Sequence, residues 1–356
     1  MTRARELAAM VNSTLKTDAV KLASDPEFQP VLLPTGVLPI DVLLGGGIPK
    51  GRITEMYGNF SSLKSYIALR CAAETQRAGG IAVLVDTEHA FDAEWARTLG
   101  VNTDDLIVWH PEHGEAAVDV TETFLRSYEV DLIVWDSVAA TLPKTEHGKM
   151  ASDTVQPARL AEFMSRSLRK LNTANHATAL LFINQVRTNV GITFGSPEAV
   201  PGGKALPFYA SHRISLRKTG KLYSDADPTT VRTSDGYKRQ AVKSVVGQNI
   251  KATLEKSKLT APHTEQHFTF DLEHAEVDEV GYAVGWALVN GVVLDAGRGT
   301  WEWPSVASGR GRKGLEATIR SDPKLKTKAI DQVWQSSCRG APLPAKKSGS
   351  KRKPSS

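Results

Sequence analysis

Six short apolar runs within residues 36–218 constrain the fold of this chain more than any other feature. They occupy residues 53–57, 81–86, 106–109, 132–136, 179–184 and 212–217. Runs of about four to eight apolar residues are typical of strands that are buried on both faces, and amphipathic segments lie between several of these runs. The alternation is that of βαβ units, so it predicts an α/β fold with a mostly parallel sheet and helices on both faces.

The first residues of the chain predict a separate segment, 1–34, that contains a helix. Its apolar side chains recur at helical spacing and form one stripe, which consists of Leu7, Met10, Val11 and Leu15. The stripe packs either on a neighbouring subunit or on the core of its own chain. Residues 35–267 are expected to form the central domain, with a hairpin within 219–250.

The C-terminal part predicts two further units. Residues 268–339 begin with a strand at 268–270 and include a helical stretch at 315–334, which indicates a small α/β domain. Residues 340–356 contain almost no apolar side chains and predict a disordered basic tail.

Charge and cysteine content narrow the class of protein. Without the five basic residues of the tail, the chain has 39 basic and 39 acidic residues, so any binding of nucleic acid must depend on local basic loops. Cys71 and Cys338 form no CxxC pattern, which favours a reducing cytoplasm and gives no sign of a metal cluster. No apolar run reaches the roughly 18 residues of a membrane span, and the N-terminus lacks the apolar centre of a secretory signal.

The segment GNFSSLKS at 58–65 follows a predicted strand and precedes a predicted helix. This is the context of a phosphate-binding loop, in which backbone N–H groups hold phosphate oxygens. Lys64 would reach the β- and γ-phosphates, and the Ser65 hydroxyl would bind Mg²⁺. The usual glycine before the lysine is replaced by Leu63, whose Cβ crowds a backbone that must wrap around phosphate. The alternative is a strand–helix turn with a surface lysine.

Polar residues follow three other predicted strands. Asp136 ends one strand and would hold Mg²⁺, either through water or through Ser65. Glu88 follows another strand and would orient and deprotonate the attacking water. Asn184 and Gln185 end a third strand. The carboxyl ends of parallel strands are where an open α/β sheet binds its ligand, although any one of the acids could instead cap a helix.

An ordered series of motifs resembles the RecA family from about residue 35 to residue 262. The series comprises GGIPKGRITEMYG at 46–58, VDTEHAFD at 85–92, LIVWDSVAA at 132–140, FINQVR at 182–187, FGSPEAVPGGKALPFYAS at 194–211 and LEKSKLTAP at 254–262. The resemblance implies a RecA-type P-loop NTPase core that uses ATP and Mg²⁺.

The resemblance also implies a role for each matching position. The nucleotide-binding set is Gly58, Asn59, Phe60, Ser61, Ser62, Leu63, Lys64, Ser65, Asp92, Trp95 and Asp136, and the metal is held by Ser65 and Asp136. Asp92 would contact adenine, and Trp95 would stack on it in place of the family's tyrosine. The catalytic set is Glu88, Lys64, Gln185, Lys256 and Lys258. In this family the glutamine senses the γ-phosphate, and the two final lysines reach the ATP of the adjacent subunit.

The long segment 187–204 lacks strand signals and matches the family's second DNA-binding loop. The expected DNA contacts in it are Arg187, Thr188, Asn189, Val190, Gly202, Gly203 and Lys204. Basic side chains neutralise phosphates, glycine N–H groups approach the backbone, and the valine is an apolar wedge between bases. A solvated surface loop is the alternative. Arg159 and Arg169 are expected to contact phosphates near the first DNA loop, with a solvated helix face as their alternative.

The resemblance therefore implies an ATP-dependent recombinase. It would form a homo-oligomeric filament on single-stranded DNA, pair it with homologous double-stranded DNA and exchange strands, with DNA-stimulated ATP hydrolysis and with loading or mediator proteins as further partners. One alternative is an ATP-binding DNA coat protein in which Leu63 has weakened hydrolysis. Another is a ring-forming helicase relative, which does not account for the Gly-Gly-Lys loop or for the Lys256 and Lys258 pair.

Three features depart from the family pattern. A bulky residue also precedes the loop lysine in phage recombinases of the UvsX type, so Leu63 predicts a phage-encoded protein that acts in the cytoplasm of a bacterial host. Phe60 stands where bacterial members have an acid, which implies a different link between nucleotide and neighbouring subunit. The basic tail stands where bacterial members commonly end in acidic residues. It either promotes capture of duplex DNA or serves as a solubilising end.

Overall fold

The computed structural model describes residues 2–147, 157–188, 198–224, 228–233, 236–241 and 244–338. The chain divides into two compact units, Met1–Leu32 and Leu33–Ser356. The first unit contains the predicted helix, α1 (Arg3–Leu15), which ends at Lys16 in the left-handed conformation. The amide of Asn12 then binds Val20 through both its nitrogen and its oxygen, and this folds the following segment back on the helix.

Strands and helices alternate along the rest of the chain. The strands in chain order are β1 (Leu32–Leu33), β2 (Ile48–Pro49), β3 (Arg52–Gly58), β4 (Ala82–Asp86), β5 (Leu106–Trp109), β6 (Leu132–Asp136), β7 (Ala179–Gln185), β8 (Arg187–Thr188), β9 (Glu198–Ala199), β10 (His212–Tyr223), β11 (Pro228–Thr233), β12 (Gly236–Ala241), β13 (Val245–Ser257), β14 (Thr264–Asp271), β15 (Glu276–Val277), β16 (Leu294–Asp295), β17 (Thr300–Trp303) and β18 (Ala307–Arg310). The helices are α2 (Leu38–Leu44), α3 (Lys64–Arg77), α4 (Ala93–Thr98), α5 (Gly114–Ser127), α6 (Lys144–His147), α7 (Pro157–Ala174), α8 (Ala205–Tyr209), α9 (Glu279–Val289), α10 (Gly311–Ser321) and α11 (Pro323–Ser337).

A nine-stranded sheet organises the second unit, in the order β15-β14-β13-β10-β3-β7-β6-β4-β5. The six strands from β10 to β5 are parallel, and they are the six strands that the apolar runs predict. The other three are added antiparallel at one edge. The predicted mostly parallel α/β fold is therefore confirmed. The hairpin expected within 219–250 is present as β11 and β12.

Helices cover both faces of the parallel sheet. Successive residues along each strand point to opposite sides, so each strand contributes apolar side chains to both layers. Met56 of β3 packs on one side with residues of α2, α3 and α9. Ile53 packs on the other side with residues of α5, α7 and α8. Strands that bury both faces need apolar side chains at nearly every position, which is why they read as continuous apolar runs.

The C-terminal domain expected to start at residue 268 does not start there, because β14 belongs to the main sheet. This strand pairs with β13 from Leu254↔Thr264 to Gly247↔Asp271, so the boundary placed between residues 267 and 268 falls inside a strand of the main sheet. The helical stretch expected at 315–334 is two helices, since Pro323 cannot continue α10 and begins α11 instead. The Asp322 carboxylate caps α11 by accepting from the N–H of Lys324. The predicted tail, 340–356, lies outside the described residues.

A buried polar pair lies on β10 and β3. His212 and Thr54 are direct partners in the parallel pairing, and both are fully buried. Among the described residues, neither ring nitrogen of His212 nor the Thr54 hydroxyl has a hydrogen-bond partner. Burial, and then the nearby Arg52, lowers the pKa of His212 to about 4. The imidazole is therefore held neutral inside the sheet.

We expect His212 to make the folded state lose stability in mild acid. Between pH 6.5 and about 4 the unfolded chain binds a proton that the buried ring refuses, so stability falls as pH falls, by up to about 3 kcal/mol. His212→Leu removes this loss, so its free energy of unfolding relative to the wild type should rise by about 2 kcal/mol between pH 8 and pH 5. Urea unfolding at both pH values measures this, with the exposed His176→Leu as control. An equal difference at both pH values would contradict the prediction.

Candidate active site

The loop between β3 and α3 has a tightly packed backbone. A Cβ on Gly58 would lie 2.2 Å from the carbonyl oxygen of Leu216 and 2.7 Å from the Ser62 hydroxyl, so this position requires glycine. The buried Ser62 hydroxyl donates to the carbonyl of Asn59 at 2.8 Å. The loop thus turns around its own side chain and leads directly into the N-terminus of α3, where backbone N–H groups favour an anion.

Lys64 is the first residue of α3, and its side chain folds back over the loop. Its Nζ donates to the carbonyls of Gly58 at 3.1 Å and Asn59 at 2.8 Å. Burial lowers the pKa of Lys64, and the carboxylates of Asp136 and Glu88 oppose that effect. Nζ also donates to the Ser62 hydroxyl at 3.4 Å. These three acceptors are neutral, so the ammonium group is suited to exchange them for phosphate oxygens.

Leu63 adopts the backbone conformation that a glycine would provide. Its φ is 70° and ψ is 16°, in the left-handed region, and the half-buried side chain packs against the core. The crowding expected from the sequence is thus accommodated by an unfavourable backbone conformation. Ser61 has φ 58°, so this loop holds two non-glycine residues at positive φ. Such residues cost stability because Cβ approaches the neighbouring carbonyl oxygen.

Three acidic residues lie at the ends of β4 and β6: Asp86 and Asp136 are the last residues of these strands, and Glu88 follows β4 by two residues. Asp136 accepts a hydrogen bond from the Ser65 hydroxyl at 2.8 Å. Burial, and also the charges of Glu88 and Asp86, raise the pKa of Asp136 to about 6. Oxygen ligands with excess negative charge fit Mg²⁺, so Ser65 and Asp136 could hold the metal that the sequence predicts. Asp86 was not assigned a role from the sequence, although it ends a predicted strand.

Glu88 is held by two donors from neighbouring strand ends. Its Oε1 accepts from Gln185 Nε2 at 2.5 Å and from the Ser137 hydroxyl at 2.5 Å. Ser137 is fixed in turn by Thr87, whose hydroxyl accepts from its N–H at 2.9 Å. The structure therefore brings Glu88 and Gln185 into direct contact. Sequence reasoning missed Ser137, which directly follows Asp136 in the same motif.

Asp92 and Trp95 lie at the start of α4, the helix that follows β4. One Asp92 oxygen accepts from the N–H groups of Glu94 at 2.8 Å and Trp95 at 3.0 Å, so this carboxylate caps α4. Trp95 is 39% exposed. It lines a cavity of about 110 Å³ that Ser65 and Asp136 also line, and it borders a second pocket beside the phosphate loop, with Gln248 and Leu272.

Known proteins resemble this chain over most of its length. The model of the RecA N-terminal domain matches residues 7–275. Protein RecA of Caulobacter vibrioides is 37% identical over 329 residues, which are 90% of this chain and 86% of that protein. Protein RecA of Thermus thermophilus is 38% identical over 329 residues, which are 90% of this chain and 91% of that protein. The chain belongs to the RecA family.

A solved structure gives a weaker likeness. The crystal structure of the RadB recombinase matches with a TM-score of 0.47 and 20% identity, over 69% of this chain and 98% of that chain. None of the described helices is long and apolar enough to cross a membrane.

The two lysines that the RecA resemblance singles out lie on and just after β13. Lys256 Nζ donates to the carbonyls of Pro207 at 2.6 Å and Phe208 at 2.9 Å. Lys258 is exposed. In the described part of the chain, neither side chain is hydrogen-bonded to Lys64, Glu88 or Gln185. Their contact with the ATP of an adjacent subunit stays a prediction.

The second DNA loop expected for a RecA-family chain is described at both ends. Arg187 and Thr188 form β8, which pairs antiparallel with β9, while Asn189 and Val190 lie outside the described residues. Gly202 and Gly203 have φ 88° and 73°, and a Cβ on Gly203 would lie 2.7 Å from the Cβ of Ala161.

The other basic residues of the DNA prediction are Lys204, at the end of this loop, and two arginines of the preceding helix α7. Lys204 is exposed and directly follows the two glycines. Arg159 is half-buried and Arg169 is exposed, and both belong to α7. Their contacts with DNA stay predictions.

We expect the left-handed backbone at Leu63 to restrict substitution at this position. Leu63→Gly should bind an ATP analogue as well as the wild type or better. Leu63→Val should weaken binding about tenfold, because a β-branched residue fits positive φ poorly and costs about 1–2 kcal/mol. Titration calorimetry measures both, with Leu125→Val in α5 as the control. Equal affinities for the glycine and valine variants would contradict the prediction.

Proposed function

We propose that this chain is an ATP-dependent recombinase that forms filaments on single-stranded DNA and catalyses homologous pairing and strand exchange. The observation that carries the proposal is the hydrogen bond from Gln185 to Glu88. It joins a carboxylate suited to activate water with the residue that precedes the 187–204 loop. Membership of the RecA family supports the same function.

Nucleotide binding begins with Lys64. Its ammonium group leaves the carbonyls of Gly58 and Asn59 and binds the β- and γ-phosphate oxygens, while N–H groups at the start of α3 hold the same anion. Ser65 and Asp136 would hold Mg²⁺, which when bound supplies positive charge against the phosphates. Trp95 offers an aromatic face for adenine, and Asp92 fixes the start of its helix.

Glu88 is the proposed general base. Its carboxylate accepts the proton of the attacking water, and Gln185 and Ser137 orient it by donating to one oxygen. A change at the γ-phosphate that moves Glu88 also moves Gln185. The predicted DNA-binding loop begins at Arg187, two residues after Gln185, so a movement of Gln185 is passed on to the predicted DNA contacts.

Assembly completes the site in this proposal. Lys256 and Lys258 would contact the ATP of the adjacent subunit, where they neutralise charge during phosphoryl transfer. Lys256 is partly desolvated, which together with Lys258 and Arg213 lowers its pKa, so an anionic partner is favoured there. A site divided between subunits makes hydrolysis depend on the filament.

Removal of the base tests the chemistry. Glu88→Gln keeps the size of the side chain but cannot accept a proton, so DNA-stimulated ATP turnover should fall by at least about 100-fold. Turnover is measured with and without single-stranded DNA, and the exposed Glu302→Gln is the control. Turnover that survives in Glu88→Gln would remove this residue as the base. Absence of turnover in the wild type, with nucleotide bound, would favour the DNA-coat alternative and the disabling effect of Leu63.

Mixed filaments test the divided site. Lys256→Ala and Glu88→Gln should each be nearly inactive alone. A one-to-one mixture should recover about a quarter of wild-type turnover, because that share of head-to-tail interfaces pairs an intact Glu88 with an intact Lys256. Turnover of the mixture that equals the mean of the two separate variants would contradict a shared site.

Several finer expectations accompany this proposal. The bulky Leu63 is the reason to expect a phage-encoded recombinase of the UvsX type that acts in the cytoplasm of a bacterial host. The relatives reported above are, however, bacterial RecA proteins. Homologous duplex DNA and loading or mediator proteins are the remaining expected partners. Strand exchange assayed with Mg²⁺, ATP and both DNA substrates tests the complete activity, and failure despite visible filaments would refute it.

A further inference from the structure

Glu55 is a charged residue at the centre of the sheet, and the mechanism above gives it no task. It lies on β3, three residues before Gly58, and its side chain is completely buried. One carboxylate oxygen accepts from Arg213 Nε at 2.6 Å, and the other accepts from Asn184 Nδ2 at 3.3 Å. Each oxygen therefore binds a side chain from a different neighbouring strand, β10 for one and β7 for the other.

Stability alone is a poor reason to place this ion pair here. Burial raises the pKa of Glu55, and the charge of Arg213 and the bond from Asn184 oppose that effect. Apolar side chains of similar volume in place of a buried ion pair are often as stable or more stable. A charged anchor does, however, make stronger and more directional hydrogen bonds than an apolar contact.

Asn184 links Glu55 to both ends of the 187–204 loop. The two N–H donors of its amide are used at once, since Nδ2 also donates to the carbonyl of Pro201 at 3.0 Å. Its oxygen accepts from the N–H of Gln185 at 3.0 Å. Displacement of Pro201 therefore pulls on the same side chain that holds Gln185, the donor to Glu88.

Arg213 extends the network to the other side of the sheet. Its guanidinium lies 4.3 Å from the centre of the Tyr57 ring, directly before Gly58. Its Nη1 lies 3.4 Å from Glu255, which directly precedes Lys256. One arginine thus contacts the strand that enters the phosphate loop and the strand that carries the lysine proposed to reach the neighbouring subunit.

We infer that Glu55 is a positioning residue that couples nucleotide binding to DNA binding. It is the fixed point between Asn184, which holds the base of the 187–204 loop, and Arg213, which holds β3 and β13. Removal of its charge uncouples the two binding events while each site keeps its own contacts. The inference rests on the proposed function, because it assumes that the 187–204 loop binds DNA.

The test measures coupling in an equilibrium experiment that does not require hydrolysis. The affinity for a fluorescein-labelled oligothymidylate is measured with and without a non-hydrolysable ATP analogue and Mg²⁺. Coupling between linked sites is typically about 5- to 150-fold. The double variant Glu55→Gln/Arg213→Met removes both charges together, so that neither is left buried without its partner. We expect its coupling factor to fall at least about fivefold, with affinity for the analogue alone and Tm near wild-type values.

Lys50 and Asp131 provide a matched control. Their ion pair is also 2.6 Å long but involves no residue of this network. Lys50→Met/Asp131→Asn should keep wild-type coupling.

A second variant tests the inference independently, in case the double variant does not fold. Asn184→Leu keeps the ion pair and removes both N–H donors and the oxygen that accepts from Gln185, and it should lose coupling to the same degree. If either variant is folded and retains wild-type coupling, the inference is overturned. Wild-type protein that binds no oligothymidylate, or binds it equally with and without analogue, would instead refute the proposed function.

Discussion

The parallel pairing of four strands fixes the positions of the phosphate loop, of Asp86 and Asp136, and of Gln185. β3 pairs with β7 up to Gly58↔Gln185, and β4 pairs with β6 up to Asp86↔Asp136. Since the strands run in one direction and end within a residue or two of each other, the phosphate loop, two acids and the glutamine emerge at one edge. A slip of one residue in the pairing would turn each side chain to the opposite face of the sheet. Packing of the apolar side chains against the helices therefore stabilises this register.

Charges at this edge are held by partners from the chain itself. Lys64 binds two carbonyls, Glu88 binds Gln185 and Ser137, and Asp136 binds Ser65. Each of these contacts involves an atom that the proposed mechanism uses. In the proposed mechanism, nucleotide binding would therefore exchange these partners one by one within a preformed site, and Glu55 would keep the neighbouring strands fixed during that exchange.

Sequence reasoning predicted the six parallel strands because two-sided burial leaves a continuous apolar run. It also singled out residues at or just after strand ends, such as Gln185 and Glu88, since position alone places them at the edge where such sheets bind ligands. Glu55 lies inside a strand, where no pattern distinguishes a coupled ion pair from an isolated charge. The left-handed backbone of Leu63 was missed because sequence patterns carry no torsion angle. The boundary near residue 268 was misplaced because an antiparallel strand added to a sheet looks the same as the start of a new domain.

Because β14 belongs to the main sheet, it limits where an expressed fragment of this protein can end. A recombinant fragment that stops at residue 267 would lose half of β14 together with α9. The part of β13 that pairs with the lost half, from Gly247 to Ile250, would become an edge with unpaired N–H and C=O groups. Such an edge, next to a newly exposed apolar face, invites intermolecular pairing and insoluble expression. Fragments for crystallisation or partner mapping are better ended after Cys338, where α11 is complete.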